Sequence, residues 1–396
     1  MSYSSPTGPI DFREEGVDIA AKYIGNADAG KINSYLNDEG KKKYGFGRLY
    51  SWGYNGGGAL GLDDFDHRSS PVQVGSLTNW YRISAGAEYS LAIRSDNTLW
   101  SWGYNDVGQL GLGDTTHRSA PVQVGLLTNW NQISGGDSHS LAVKTDKTLW
   151  SWGRNHVGQL GDGTGVRSSP VQVGLLSNWS QVSAGTNHSL AAKTDGTLWA
   201  WGLNTNGQLG LGDITHRSSP VQVGALTNWS RVIAGYNHSL AVKTDGTLWA
   251  WGLNADGQLG LGDATHRSSP VQVGALTNWS RVSGGGSHSL AVKTDGTLWA
   301  WGVNTNGQLG DGTITHRSSP VQVGALTNWS QVSGGDSHSL AVKTDGTLWA
   351  WGLNTNGRLG LGDLTHRSSP VQVGALTNWS QVSGGDSHSL AVKTDG

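Results

Sequence analysis

For most of its length the chain alternates apolar and polar residues in short runs separated by glycine-rich breaks. Residues 220–254 show the pattern in full. Pro220-Val221-Gln222-Val223-Gly224 alternates and stops at glycine, which predicts a short strand beginning at proline. Residues 229–233 predict a second strand and 238–243 a third, with a tight glycine turn between them. Thr244-Asp245-Gly246-Thr247 predicts a two-residue hairpin, because Asp-Gly suits the positive dihedrals of such turns. Residues 248–251 predict the fourth strand, and a Gly- and Asn-rich loop runs from Gly252 to Asp263. Four such strands in about fifty residues are the content of one propeller blade. On the fourth strand Trp249 and Trp251 share one face, while Leu248 and Ala250 share the other. Both faces are therefore expected to be covered, with large rings against small alanines between stacked sheets. Stacking of a repeat arginine on these rings is a secondary expectation.

The pattern repeats. Leu-Tyr/Trp-Ser/Ala-Trp-Gly begins at Leu49, Leu99, Leu149, Leu198, Leu248, Leu298 and Leu348, in steps of fifty residues with a single forty-nine. This period belongs to propellers, solenoids and arrays. The last copy ends Lys393-Thr394-Asp395-Gly396, without the Thr-Leu-Trp that follows elsewhere. The missing continuation stands at Arg48-Leu49-Tyr50-Ser51-Trp52-Gly53. A closed ring gains from such a cut, because N-terminal strands then complete the last blade and leave no open sheet edge. The expected fold is all-β: a seven-bladed β-propeller of four-stranded blades over residues 48–396, closed by N- and C-terminal strands. Residues 48 to about 75 would complete the blade holding 371–396.

Residues 1–47 read differently, as a short, partly helical arm. Val17, Ala20, Ala21 and Ile24 fall on one helical face, and Ile32, Tyr35 and Leu36 repeat the pattern after Asp28. Helices this short are marginal alone and must dock. Docking on the propeller rim is one reading. The other makes Val17, Ile24, Ile32, Tyr35 and Leu36 the contacts that anchor the chain to a partner assembly.

Composition narrows the function. The net charge of −2 gives no basic surface for nucleic acid, and the absence of cysteine removes disulfides and thiolate metal sites. No apolar run approaches the ~18 residues of a membrane span. Twelve of the thirteen histidines form two rings. One is His139, His188, His238, His288, His338 and His388, with Tyr89 in the first copy; the other is His67, His117, His216, His266, His316 and His366, with Val166 in the third. Metal binding needs two or three converging ligands, which equivalent residues of neighbouring blades do not supply. Each histidine is expected to bond a turn backbone; a pH-sensitive ring is the alternative. The Asp of Gly-Leu-Gly-Asp is expected to pair with the nearby arginine, since the calcium-loop and phosphate-loop patterns are absent. Repeated His-Ser pairs lack a nucleophile elbow and are read as strand residues, so neither a catalytic group nor a cofactor is assigned.

One loop position varies freely between copies: Phe65, Thr115, Ile214, Ala264, Ile314 and Leu364. A ring of variable, often apolar tips on one face predicts a partner-binding surface. The opposing reading folds these side chains back onto the next blade.

The string Gly-Gly-x-x-His-Ser-Leu-Ala-x-Lys-x-Asp-Gly, then Leu-Trp-x-Trp-Gly-x-Asn-x-x-Gly-Gln-Leu-Gly, then Arg-Ser-Ser-Pro-Val-Gln-Val, resembles the regulator of chromosome condensation repeat. The resemblance covers 48–396 and implies a seven-bladed propeller closed by both termini. The family's founder is a nucleotide-exchange factor that binds chromatin through a blade insertion and a basic tail, and neither feature is present here. The Gly-Trp-Arg-His-Thr motifs of the plant UV-B photoreceptor are also absent. The bare repeats are similar to versions from bacteria and their viruses, notably cyanophages. The sequence therefore predicts a non-enzymatic virion component, such as a tail, fibre or accessory protein. It would bind other virion proteins through the arm and present the ring to proteins or a host-surface receptor. A bacterial interaction scaffold or surface-binding propeller, in the cytoplasm or at the cell surface, is the alternative. An exchange factor or sensor is the third reading.

Overall fold

In a computed structural model that describes residues 46–394, the alternating runs fold as strands, with one boundary displaced. The arm residues Val17, Ile24, Ile32, Tyr35 and Leu36 lie outside the described residues. Twenty-eight strands, β1 to β28, follow one another, and no helix occurs among the described residues. A representative sheet holds β15 (Trp229–Ala234), β16 (His238–Lys243), β17 (Leu248–Gly252) and β18 (Arg267–Gln272), in that order and antiparallel. The proline strand is the exception to the sequence reading. It is β14 (Arg217–Gln222), begins ahead of Pro220, and pairs with β13 (Leu198–Gly202) in the preceding sheet. The long loop after β13 returns the chain to the outer edge of the same sheet. Pro220 lies where the register shifts, and an outer strand tolerates its missing N–H.

The Asp-Gly turn also differs from the expected hairpin. Gly246 has φ +76 and its N–H donates to the Lys243 carbonyl at 3.0 Å, whereas Asp245 is not in the left-handed region. The aspartate serves as an acceptor instead: the Thr247 N–H and hydroxyl donate to its Oδ1 at 2.9 and 2.6 Å. A Cβ on Gly246 would meet the Thr277 carbonyl at 2.1 Å, so glycine is required twice over.

Five sheets have four strands. The sixth has eight: β27 (Trp379–Gly384), β28 (His388–Thr394), β1 (Gly47–Gly53) and β2 (Arg68–Gln73), then β3 (Trp80–Ala85), β4 (Tyr89–Arg94), β5 (Leu99–Gly103) and β6 (Arg118–Gln123). A single bridge, Gly47 to Trp80, joins its halves. Strand β1 pairs with β28 from Gly47↔Thr394 to Gly53↔His388, so residues near the two ends build one four-stranded blade. The strands that begin at Trp80, Trp130, Trp179, Trp229, Trp279, Trp329 and Trp379 are innermost: each touches the next, and the last touches the first.

The core lies between neighbouring blades. Trp251 is fully buried against Leu198 and Ala200 of the preceding copy, and Trp301 against Leu248 and Ala250. Large rings thus fill the space above small residues, as the alternation predicted. A Cβ on Gly210 (φ +73) would lie 2.8 Å from the Trp251 indole nitrogen, so this approach needs glycine. Trp229 meets Trp249 edge-on at 6.0 Å. The cation over the half-buried Trp249 is a lysine, not the expected arginine: Lys243 Nζ sits 3.6 Å from its centroid. Lys144, Lys193, Lys293 and Lys343 repeat this contact, and Arg94 over Trp100 is the one arginine version among the described residues. Burial lowers the pKa of all five lysines, while the ring faces hold the charge at ~0.5–2 kcal/mol each.

Candidate functional site

The first histidine ring is part of the packing. Each of these histidines starts a strand whose next residue is serine. The serine hydroxyl donates to a loop carbonyl, as Ser289 does to Gln258 at 2.8 Å. With its proton so committed, the hydroxyl accepts the Nε2–H of the histidine in the preceding copy, as from His238 at 2.9 Å. The same bond joins His139 to Ser189, His188 to Ser239, His288 to Ser339, His338 to Ser389 and His388 to Ser90. Tyr89 completes the belt, 2.9 Å from Ser140 Oγ and donating to the His139 carbonyl. The partner is a hydroxyl of the next blade, not the turn backbone expected from sequence. Burial lowers the pKa to about 3 for His139, His188 and His288, to about 4 for His238 and His388, and well below the usual value for His338.

Five histidines of the second ring do bond backbone. The N–H groups of Asn55, Asn105, Asn204, Asn254 and Asn354 donate to Nδ1 of His67, His117, His216, His266 and His366 at 3.0–3.1 Å. These loops are clamped twice more. The asparagine Oδ1 accepts a leucine N–H across the loop, as in Leu209 to Asn204 at 2.9 Å. An Asp–Arg ion pair closes each loop, as expected: Arg217–Asp213 and Arg367–Asp363 at 2.6 Å, Arg317–Asp311 at 2.8 Å, and Arg68–Asp64. The variable tips stand on this frame. Phe65, Ile214, Ile314 and Leu364 are 56%, 65%, 67% and 60% exposed, and Thr115 and Ala264 are exposed as well. They do not fold back onto the next blade, because the clamps hold the tip away from the sheet.

A third region lines the axis. Inner-strand serines bridge successive copies: Ser84, Ser134, Ser183, Ser283, Ser333 and Ser383 accept the N–H of the next inner strand at 2.9–3.0 Å. Ile233 occupies the equivalent place between β15 and β19 (Trp279–Gly284). Two residues earlier the copies carry Arg82, Gln132, Gln181, Arg231, Arg281, Gln331 and Gln381. Beyond the inner strands, turns bring carboxylates together. Asp386 is pushed up to about 7 by burial and by the charges of Asp137 and Glu88. The Tyr236 hydroxyl, three copies away, donates to Asp386 across the axis.

The RCC1-like domain matches residues 43–233 and 219–391. The chain belongs to this family. Human WBSCR16 is similar in structure, with 24% identity and a TM-score of 0.79 over 88% of this chain and 99% of that one. Prp20p of Saccharomyces cerevisiae, described with its binding to Gsp1p and histones, has 23% identity and a TM-score of 0.78 over 89% and 94%. Yeast RCC1 bound to Kap60 gives 22%, 0.79, 90% and 92%. No protein of curated function matches the sequence.

In this RCC1-like fold the sequence-predicted tips share one end of the sheets. Leucines at the opposite end were missed: Leu77, Leu127, Leu176, Leu226, Leu276, Leu326 and Leu376 are 38–50% exposed, and Leu126 and Leu175 more than 90%. Their signal was the leucine before Thr/Ser-Asn in every copy. Among the described residues no group of three or more His, Asp or Glu is placed to hold a metal ion, and no helix is long and apolar enough to cross a membrane.

Proposed function

We propose that the chain is a non-enzymatic, seven-bladed binding propeller that holds a protein partner on the face bearing the variable tips. The eight-stranded sheet then counts as two blades joined at one bridge. The observation that carries this reading is the exposure of Phe65, Ile214, Ile314 and Leu364 on loops fixed by ion pairs and asparagine clamps. Apolar side chains repeated around one face mark an interaction site. A rigid frame lowers the ordering cost of binding. Repetition of like groups supports binding over catalysis, since a catalytic centre needs one arrangement of unlike groups. Prp20p, a fold relative, is described with protein partners.

Within this class we place the chain in a phage particle, anchored by residues 1–47. That placement rests on the similarity of its bare repeats to viral versions. The test has two parts. Mass spectrometry of purified particles should find the chain, and deletion of 1–46 should abolish incorporation while leaving the ring folded. A variant with Phe65, Ile214, Ile314 and Leu364 all changed to serine should melt as the parent does but lose the cross-links that join the tip loops to a partner. A partner retained at full affinity by that variant sinks the tip-face reading.

A further inference from the structure

At the leucine end of the sheets one junction between copies departs from all the others. The residue after the glycine of the connection is Ser76, Ala225, Ala275, Ala325 or Ala375 in five copies, but Leu126 and Leu175 in two neighbouring ones. The position is exposed in every copy, so the larger side chain adds nothing to the ring's own core. Leu126 is 92% exposed and Leu175 95%, and each stands beside a second exposed leucine, Leu127 or Leu176. Single exposed leucines are ordinary, whereas a cluster marks a contact surface.

A third departure lies between the two leucine pairs. The turn from β8 (His139–Lys144) to β9 (Leu149–Gly153) carries Lys147 where later copies have Gly196, Gly246, Gly296 and Gly346. Its backbone bonds place it: the Thr145 N–H donates to the Asn129 carbonyl at 2.8 Å, and the Trp179 N–H donates to the Lys147 carbonyl at 3.1 Å. The turn thus sits two residues from Leu127 in one connection and three from Leu176 in the next. Lys147 has φ +65, a conformation that glycine adopts freely and an L-residue adopts at a cost. The fold is better served by glycine, so the lysine is explained by what its side chain meets outside. Lys147 and its neighbour Asp146 are both exposed, and Asp146 uses its Oδ1 to hold Thr148. Opposite charges side by side among four leucines form a patch that complements itself. A two-fold axis through it sets each lysine against the other copy's aspartate. An anionic lipid surface calls for a basic excess, which Asp146 cancels.

We propose that this junction binds a second copy of the chain. In the resulting two-fold dimer the leucines of one ring meet those of the other, and each Lys147 reaches Asp146 of the other copy. The contact is at the end opposite the variable tips, so it does not rest on the tip-face reading and leaves both tip faces open. Four leucines and two charges per copy are a small interface, so pairing is expected at around micromolar concentrations. Sedimentation equilibrium of the full chain from about 1 to 100 μM tests it, and a monomer–dimer equilibrium is the expected result. L126A/L175A restores the alanine of four other copies and should weaken the dimer at least about tenfold. K147G restores the glycine of four copies and should also weaken it, while melting no lower than the parent. K147E should weaken it further, because two carboxylates then face each other across the axis. L326A, a leucine truncation at a junction without the extra leucines, should leave the dimer unchanged. Melting curves check folding, and K147G decides if L126A/L175A is unstable. A chain that stays monomeric at ~100 μM overturns the proposal and gives the leucines to an unlike partner. So does a dimer that L126A/L175A and K147G leave at full affinity, or an equal loss in L326A.

Discussion

The histidine–serine belt and the axial wall of β15 are built from neighbouring parts of the same repeat, yet they treat variation in opposite ways. The belt makes a histidine–serine contact at six junctions, and at the seventh the Tyr89 hydroxyl still bridges to the next copy, donating to the His139 carbonyl and lying 2.9 Å from Ser140 Oγ. The axial wall varies from copy to copy: Ile233 replaces the bridging serine in one, and arginine stands for glutamine at positions 82, 231 and 281. A buried polar pair cannot lose one member without leaving the other unsatisfied, which costs ~1–3 kcal/mol. A half-open wall loses a bond to water more cheaply and is free to be shaped for something else. Identity between copies therefore marks packing here, and departure from identity marks the candidate sites.

Three measurements press on that contrast. The largest effect is expected from His288→Ala. It empties a fully buried site and leaves Ser339 without its donor, so it should lower stability by about 2–4 kcal/mol in denaturant unfolding. A loss below ~0.5 kcal/mol would show that the belt is incidental to packing.

The belt also predicts how the ring responds to acid. Its histidines titrate near 6.5 when unfolded; when folded, burial lowers five of them to about 3 to 4 and His338 well below the usual value. The unfolded chain then binds protons that the folded one refuses, so stability is full above about pH 6.5 and falls towards pH 4. Asp386 acts in the opposite sense. Its folded pKa of about 7 lies above the ordinary 3.8, so its contribution is full below about pH 4 and is lost as pH rises towards 7. Six histidines outnumber one aspartate, and the melting temperature should drop on acidification from pH 7 to pH 4. A flat or rising profile would mean that the ring is not held by neutral imidazoles.

The smallest effect is expected at the axis. Asp386→Asn keeps an acceptor for the Tyr236 hydroxyl and removes the charge. The variant should match the parent at pH 4 and melt higher at pH 8. Equal melting at both values would place the Asp386 carboxyl in ordinary solvent.

Local rules account for the parts legible in the sequence. A period-2 alternation, the glycine breaks and a fifty-residue repeat specify strand content, the large-on-small tryptophan packing and the pairing of Arg48–Gly53 with the last copy. The Asp–Arg loop pairs were readable for the same reason, because their partners lie four to six residues apart. Three-dimensional proximity decided the rest. The proline strand belongs to the sheet before the one its sequence neighbours suggest, since the loop after β13 carries the chain back to the outer edge. The histidines bond hydroxyls about fifty residues away, and Tyr236 reaches Asp386 across the axis. Those partners are equidistant in every copy of a repetitive sequence. Only the closure of the ring selects which of them meet.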